Sequence, residues 1–324
     1  MNKNKWFALP NGCPPLYESL IAAGFFLLCF AILLPELFFL IRSPMGGDGA
    51  TLKDPAVSFA VFMPAFREFR SELLEHGNIL WSNLRGMGLP ILGNGVQGAP
   101  LFPLNLALLW LPDHIYWSVM PIARIVLIAL GAYLLARRVF GLSMVAGVVF
   151  AILIGFNVNI VRWINHPWLN GVLAGVWYLY FSCTVFALAT ARRSQVGLHC
   201  LGLVVGVFAM ITCGFPEASA VAAIFAAFSF IGFTLAGWRV FRKDFGKRLA
   251  LLTLCHLIGF CLSAVQVFAL VEFVDLGAIE DLREGYIKAN FRPDQALPFG
   301  LAQFTHFWMS GLQQSYLNFY VGLF

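Results

Sequence analysis

The sequence predicts an all-α fold, a polytopic transmembrane bundle of seven or eight spans with interfacial helices in a long first outer loop. Three observations predict it. The 324 residues are 60% hydrophobic and only 11% charged, against roughly 25% charged in water-soluble domains. Mean hydropathy is +0.80. The apolar residues gather in seven runs of about 20 residues, the length that crosses a hydrocarbon core of roughly 30 Å. This composition excludes a water-soluble enzyme. It also excludes a disordered chain, a disulfide scaffold and a collagen-like fibre, because 33 Phe and 9 Trp leave no room for the polar, Cys-dense or Gly-periodic compositions those need.

The runs are Leu20–Ile41, Ile115–Leu135, Leu142–Val161, Val172–Ala191, Val196–Phe215, Ala218–Gly237 and Leu249–Val271. An eighth starts at Leu317, where the chain is about to end, so the sequence reads as a fragment or a shortened member of its kind. No internal repeat or low-complexity tract is evident. The first run is too long for a cleavable signal and lacks a small-residue cleavage site, so it reads as a retained anchor.

Orientation follows from Lys and Arg in the short connections. With a cytoplasmic N-terminus, the inner segments hold Lys3, Lys5, Arg137, Arg138, Arg192, Arg193, Arg239, Arg242, Lys243, Lys247 and Arg248 against one acid, Asp244. Most acids fall on the other face, among them Asp48, Asp54, Glu68, Glu72, Glu75, Asp113, Glu217 and Glu272. Acids do not direct topology, so their gathering there asks for another explanation, of which chemistry on the outer face is one. The seven cysteines lie mostly inside the runs with no CxxC pair, and read as small apolar packing residues.

Two outer segments interrupt the spans. The first, Arg42 to His114, is far longer than a connection requires. Within it Phe59, Phe62, Phe66, Phe69 and Leu73 recur at the period of one helical face, with Arg67, Glu68, Ser71, Glu72 and Glu75 on the other. An amphipathic helix lying in the membrane interface is expected, begun by Asp54-Pro55 and stopped by Gly77. A Gly-rich stretch from Gly86 to Gly98 follows, and then Leu101–Leu111, an apolar segment too short to span. The stretch lacks the GxxxxGK[ST] pattern and a βαβ setting, so it is no nucleotide site, and no nucleic-acid partner is expected. The second outer segment, 272–318, carries enough aromatics to fold as a lid.

Several residues are chemically notable. Asp48 sits in Met45-Gly46-Gly47-Asp48-Gly49, where glycines would present a carboxylate at the membrane surface without cover. It reads as a general base, as a carboxylate that orients a metal, or as a turn residue. Arg124 and Glu36 are ionisable groups inside spans, where charge is costly. Their depths match, so they read as an ion pair, or Arg124 binds a phosphate with its planar guanidinium. Glu217, in Cys213-Gly214-Phe215-Pro216-Glu217, suits a helix start. Arg162, Trp163 and His166 share a short outer turn and read as a grip for sugar or phosphate, or as a membrane-belt anchor.

Taken in order, a single first span, a long outer loop with an early Asp, interfacial helices and paired spans resemble the GT-C superfamily of membrane glycosyltransferases that use polyprenyl-phosphate sugars. More narrowly, the chain is similar to bacterial YfhO-type membrane proteins. The resemblance is carried by Gly47-Asp48, by Gly77-Asn78-Ile79-Leu80-Trp81-Ser82 with Gly88-Leu89-Pro90, by Gly98 to Pro103, by Gly214-Phe215-Pro216-Glu217, and by Ala264-Val265-Gln266 leading to Glu272. Where the family carries a His-Pro pair, this chain reads Phe215-Pro216.

The resemblance implies a single GT-C-like domain over residues 1–324 in the bacterial cytoplasmic membrane. It implies a catalytic Asp in the first outer loop, Asp48 or next Asp54, and a donor whose lipid tail lies between helices. The acceptor would be a glycan, a lipid or a protein. Arg124, Arg162, His166 and Glu36 would line the substrate site, and Glu217 would orient the substrate or hold an optional divalent metal. No cofactor is required by any motif. A lipid or sugar flippase, and a non-catalytic envelope-assembly protein, stand as the other readings of the same sequence.

Overall fold

The computed structural model describes residues 16–33, 63–77, 79, 81–82, 89–94, 98–157, 160, 164, 166–188 and 193–276. The chain falls into two units, Met1–Phe273 and Val274–Phe324. The first carries nearly all described residues; of the second, only Val274–Leu276, the end of the last helix, are described.

The described residues are helical apart from short connections and one two-residue ladder. In chain order the helices are α1 (Leu16–Leu33), α2 (Met63–His76), α3 (Ile91–Asn94), α4 (Pro103–Ala107), α5 (Asp113–Leu134), α6 (Met144–Gly155), α7 (Trp168–Leu188), α8 (Arg193–Ile211), α9 (Pro216–Ala236), α10 (Trp238–Phe241) and α11 (Phe245–Leu276). Strands β1 (Trp81–Ser82) and β2 (Leu89–Pro90) pair antiparallel, Trp81 opposite Pro90. Each of the seven apolar runs is helical over most of its described length. Among the described residues, four stretches, Ile115–Val139, Trp168–Leu188, Ala218–Ala236 and Trp238–Val271, are long and apolar enough to cross a membrane, and Tyr17–Leu33, Met144–Gly155 and Val196–Ile211 are shorter apolar helices.

Helix α7 is the hub, packing on α5, α8 and α9, while α5 also packs on α1 and α6. Lipid gives no hydrophobic reward for helix association, so small residues that let backbones approach carry more of the packing. Gly171 and Gly175, four apart on α7, face Ala218 and Ala222, four apart on α9; a Cβ on either glycine would come within 2.7 Å of the opposing alanine Cβ. Gly155 of α6 lies so close to α5 that a Cβ would meet Ala129 backbone at 2.9 and 3.0 Å. Aromatic and aliphatic side chains fill the remainder: Phe26, Tyr133, Ile125, Ile128 and Phe186 are at most 1% exposed.

The helices alternate in direction, and polar contacts join like ends. At the arginine-rich end, Arg137 Nε donates to Glu18 Oε1 at 2.9 Å, tying the end of α5 to the start of α1. Arg137 stands in a single π-helical turn, Leu135–Val139, that closes α5. Arg248, at the start of α11, donates to Phe186 O and Ala187 O and so satisfies orphan carbonyls of the last turn of α7. Helix α11 is held again at mid-length, where Tyr178 Oη and His256 Nε2 are 2.8 Å apart, and near its far end, where Gln266 Nε2 donates to Leu92 O at 2.6 Å.

Helix α2 ends at Gly77 as the sequence predicts: Gly77 has φ +65° and its N–H donates to Leu73 O at 3.1 Å. The expected start at Asp54-Pro55 lies outside the described residues, and so do Phe59 and Phe62. The described part of its apolar stripe faces protein. Phe66 and Phe69 are 2% and 0% exposed and pack with Ile91, Leu92, Leu109, Tyr116, Trp117 and Met120. The Phe66 ring stacks on Tyr116 with centroids 4.3 Å apart. Relative to exposure to water, burying each ring is worth about 1.5–3 kcal/mol. Glu72, placed on the polar side by the sequence, is buried, with His76 Nδ1 3.3 Å away. At 100° per residue it stands only about 60° from Phe69, so a helix packed along that stripe covers it too.

The segment Leu101–Leu111 lies against the protein as the short helix α4 and turns. Asn105, 2% exposed, holds it: its side-chain amide donates to Gly98 O and Ala99 O and accepts from Tyr116 Oη at 3.1 Å.

Candidate functional site

The sequence nominates seven site residues, and two of them have described side chains. Asp48, Asp54, Glu36 and Arg162 lie outside the described residues. Glu217 falls in the first turn of α9, where Phe215 is the N-cap and Pro216 the first helical residue, so the expected helix start is present. Arg124 and His166 are described, and the fold brings them together.

Arg124 sits 11 positions after Asp113 at the start of α5, about 16 Å along the axis. It is 3% exposed. Its Nη1 donates to Ile164 O at 3.2 Å and reaches His166 O at 3.5 Å. These carbonyls belong to the connection between α6 and α7, which packs over the α5 face that bears Arg124. A guanidinium carries five N–H donors and cannot be neutralised cheaply. Nε of Arg124 is buried with no hydrogen-bond partner, and none of the ion pairs among the described residues includes Arg124. The expected pairing with Glu36 rests on a residue outside the described ones. A buried donor left over on a charged group is rare in folded proteins and calls for an acceptor.

His166 builds the turn above it. Its Nδ1 accepts from Trp168 N at 3.1 Å, which fixes the ring against its own backbone at the start of α7. The same ring lies 4.7 Å from the Phe215 ring, so the α6–α7 turn rests on the α8–α9 turn. His166 thus reaches the site through its carbonyl.

Sequence reasoning missed Asn170, which the structure places in the first turn of α7. It is fully buried, its Nδ2 donates to Cys213 O at 3.2 Å, and its Oδ1 is buried with no partner. The α8–α9 turn it holds is built around Gly214 at φ +88°, with Cys213 Sγ and Ser219 Oγ 2.7 Å apart and Phe215 N donating to Cys213 Sγ at 3.4 Å. A signal existed: an amide at the edge of an apolar run is costly unless it has a task. Gln266, quoted only within the resemblance, is the other such amide, buried with Oε1 lacking a partner.

Arg124, the His166 turn, Asn170 and the Cys213–Phe215 turn therefore form one layer, beside the middle of α5 and at the ends of α6 to α9 opposite the arginine-rich ones. It offers a fixed cation with an unused donor in dry surroundings. Among the described residues there is no group of three or more His, Cys, Asp or Glu suited to hold a metal ion. Compared with protein-family models, with curated proteins and with solved structures, the chain matches none.

Proposed function

We propose that the chain is a membrane glycosyltransferase of the GT-C type, moving a sugar from a polyprenyl-phosphate donor to a glycan, lipid or protein acceptor on the outer face of a bacterial cytoplasmic membrane. In this reading the seven apolar helices all span, the N-terminus is cytoplasmic, and the Arg124 layer lies at the outer leaflet. The observation that supports it is the buried Arg124 with a donor to spare. A bound phosphate would supply the missing acceptor, and a desolvated guanidinium stabilises developing negative charge far better than one in water.

The acceptor hydroxyl attacks the sugar's anomeric carbon as the bond from that carbon to the phosphate oxygen breaks, through an oxocarbenium-like centre. Asp48 takes the hydroxyl proton as general base. The electron pair of the broken bond leaves with the polyprenyl phosphate, whose charge Arg124 holds, with Arg162 as its companion. Asp54 is the second choice for the base, and Glu217 orients the acceptor.

The test is envelope glycan profiling with the unaltered protein, Asp48→Asn and Arg124→Gln, each checked for membrane insertion and yield. Asp48→Asn should abolish the product. Arg124→Gln should lower it by about 10²–10³-fold, the usual loss on removing one stabilising donor. Normal product from both variants would overturn the reading.

A further inference from the structure

The arginine-rich end carries a surface that the catalytic reading does not use. Between α9 and α11 the chain folds back through Gly237, α10 and the single 3-10 turn Arg242–Asp244. The elbow is closely packed: a Cβ at Gly237 would come within 2.3 Å of the Phe241 ring. Phe241, 2% exposed, tucks inward over this glycine. There it meets Phe186 and Phe233 at centroid distances of 5.2 and 5.4 Å, with the Arg248 guanidinium 5.2 Å from its ring centroid. Arg248 turns inside, where Nη1 donates to the α7 carbonyls.

Burying Phe241 and Arg248 turns the other residues of the elbow outward. Arg239, Arg242, Lys243 and Lys247 are all exposed. Trp238 and Val240, at 46% and 47% exposure, stand among them. Asp244 is the elbow's one acid, 4.0 Å from Lys247 Nζ. A cation cluster with an exposed Trp, directly at the ends of two apolar helices, combines a charge match for anionic headgroups with a ring that settles at headgroup depth.

We infer that the elbow Trp238–Lys247 is a docking surface for anionic phospholipid headgroups in the leaflet that meets the arginine-rich end. The charge bias of short loops accounts for the sign of these residues, whereas the elbow, with its phenylalanine inward and its tryptophan outward, supplies a shaped surface. The site lies at the other end of α9 from the Arg124 layer, so it stands or falls separately from the glycosyltransferase reading.

The test uses the whole chain in phosphatidylcholine vesicles containing either brominated phosphatidylglycerol or brominated phosphatidylcholine at equal mole fraction. Tryptophan quenching is read, and the Trp238 share is isolated by difference with Trp238→Phe. The anionic lipid should quench Trp238 more strongly, with local enrichment of about fivefold for each cation engaged. The excess should shrink as salt is raised and the Debye length falls from about 10 Å toward 3 Å. It should also shrink in Lys243→Gln/Lys247→Gln and vanish when Arg239 and Arg242 are changed to Gln as well. Equal quenching by the two lipids overturns the inference, and so does an excess that survives the fourfold change. If the fourfold variant fails to insert, the salt titration on the unaltered protein decides.

Discussion

Glu18 and Arg137, 119 positions apart, meet at 2.9 Å, and the same carboxylate oxygen accepts from Tyr133 Oη at 2.7 Å. One acid near the start of α1 thereby fixes both the π-helical end of α5 and the register of the two helices. Arg137 also donates to Leu142 O at 2.8 Å, so the link extends to the chain entering α6. The Arg137 and Glu18 side chains are mostly covered, at 28% and 16% exposure.

Glu18→Ala should lower unfolding stability in detergent by about 1.5–3 kcal/mol, the usual loss of a hydrogen bond to a charged group. Arg137→Met should cost a similar amount, and the double variant should cost clearly less than the two together, because the contacts are shared. Thermal unfolding of the four proteins checks it; strict additivity would show that the pair does not couple.

The two close helix contacts should respond differently to rescue. Gly175→Ala meets only Ala222 Cβ at short range, so Ala222→Gly should restore most of the lost stability. Gly155→Ala meets Ala129 backbone as well as its Cβ, so Ala129→Gly should not restore it. Each glycine substitution alone should cost about 1–3 kcal/mol by overpacking, read from thermal unfolding in detergent.

Asp113 receives both Arg67 and Arg70 of α2, the latter at 2.7 Å. Asp113→Asn removes the charge that anchors this helix to the start of α5 and leaves its buried phenylalanines in place. Trypsin should then cut after Arg67 and Arg70 several-fold faster, while far-ultraviolet circular dichroism stays unchanged. Unchanged cleavage would place the anchoring in Phe66 and Phe69 alone.

Asn170→Leu should lower stability by about 1–3 kcal/mol, because Cys213 O then loses a buried donor. Accelerated hydrogen exchange should be confined to the α8–α9 turn and the first turn of α9. Exchange spread evenly over the bundle would indicate that Asn170 supports α7 itself.

Hydrophobic runs, caps and stops were readable along the chain because each depends on neighbours within a turn or two. The apolar runs came out helical because backbone polar groups in an apolar stretch are best satisfied within the segment. Gly77 ended α2 because only a residue without a Cβ takes φ +65° freely. Pro216 opened α9 because its fixed φ and missing N–H suit the first helical position. Arg124 stood out because a charge within an apolar run always raises the question of a partner.

What the sequence could not supply was which faces meet. A 3.6-residue period marks Phe66 and Phe69 as apolar without saying whether lipid or protein covers them, and tertiary packing chose protein. Glu72 went inside with them for the same reason, and Asn170 gained its task only when α7 brought it under the Cys213 carbonyl. Composition and periodicity are local properties and determined that this is a bundle of apolar helices with a cation-rich end. The neighbours of Arg124 are set by contacts between residues some 40 positions apart, which exist only once the helices have packed.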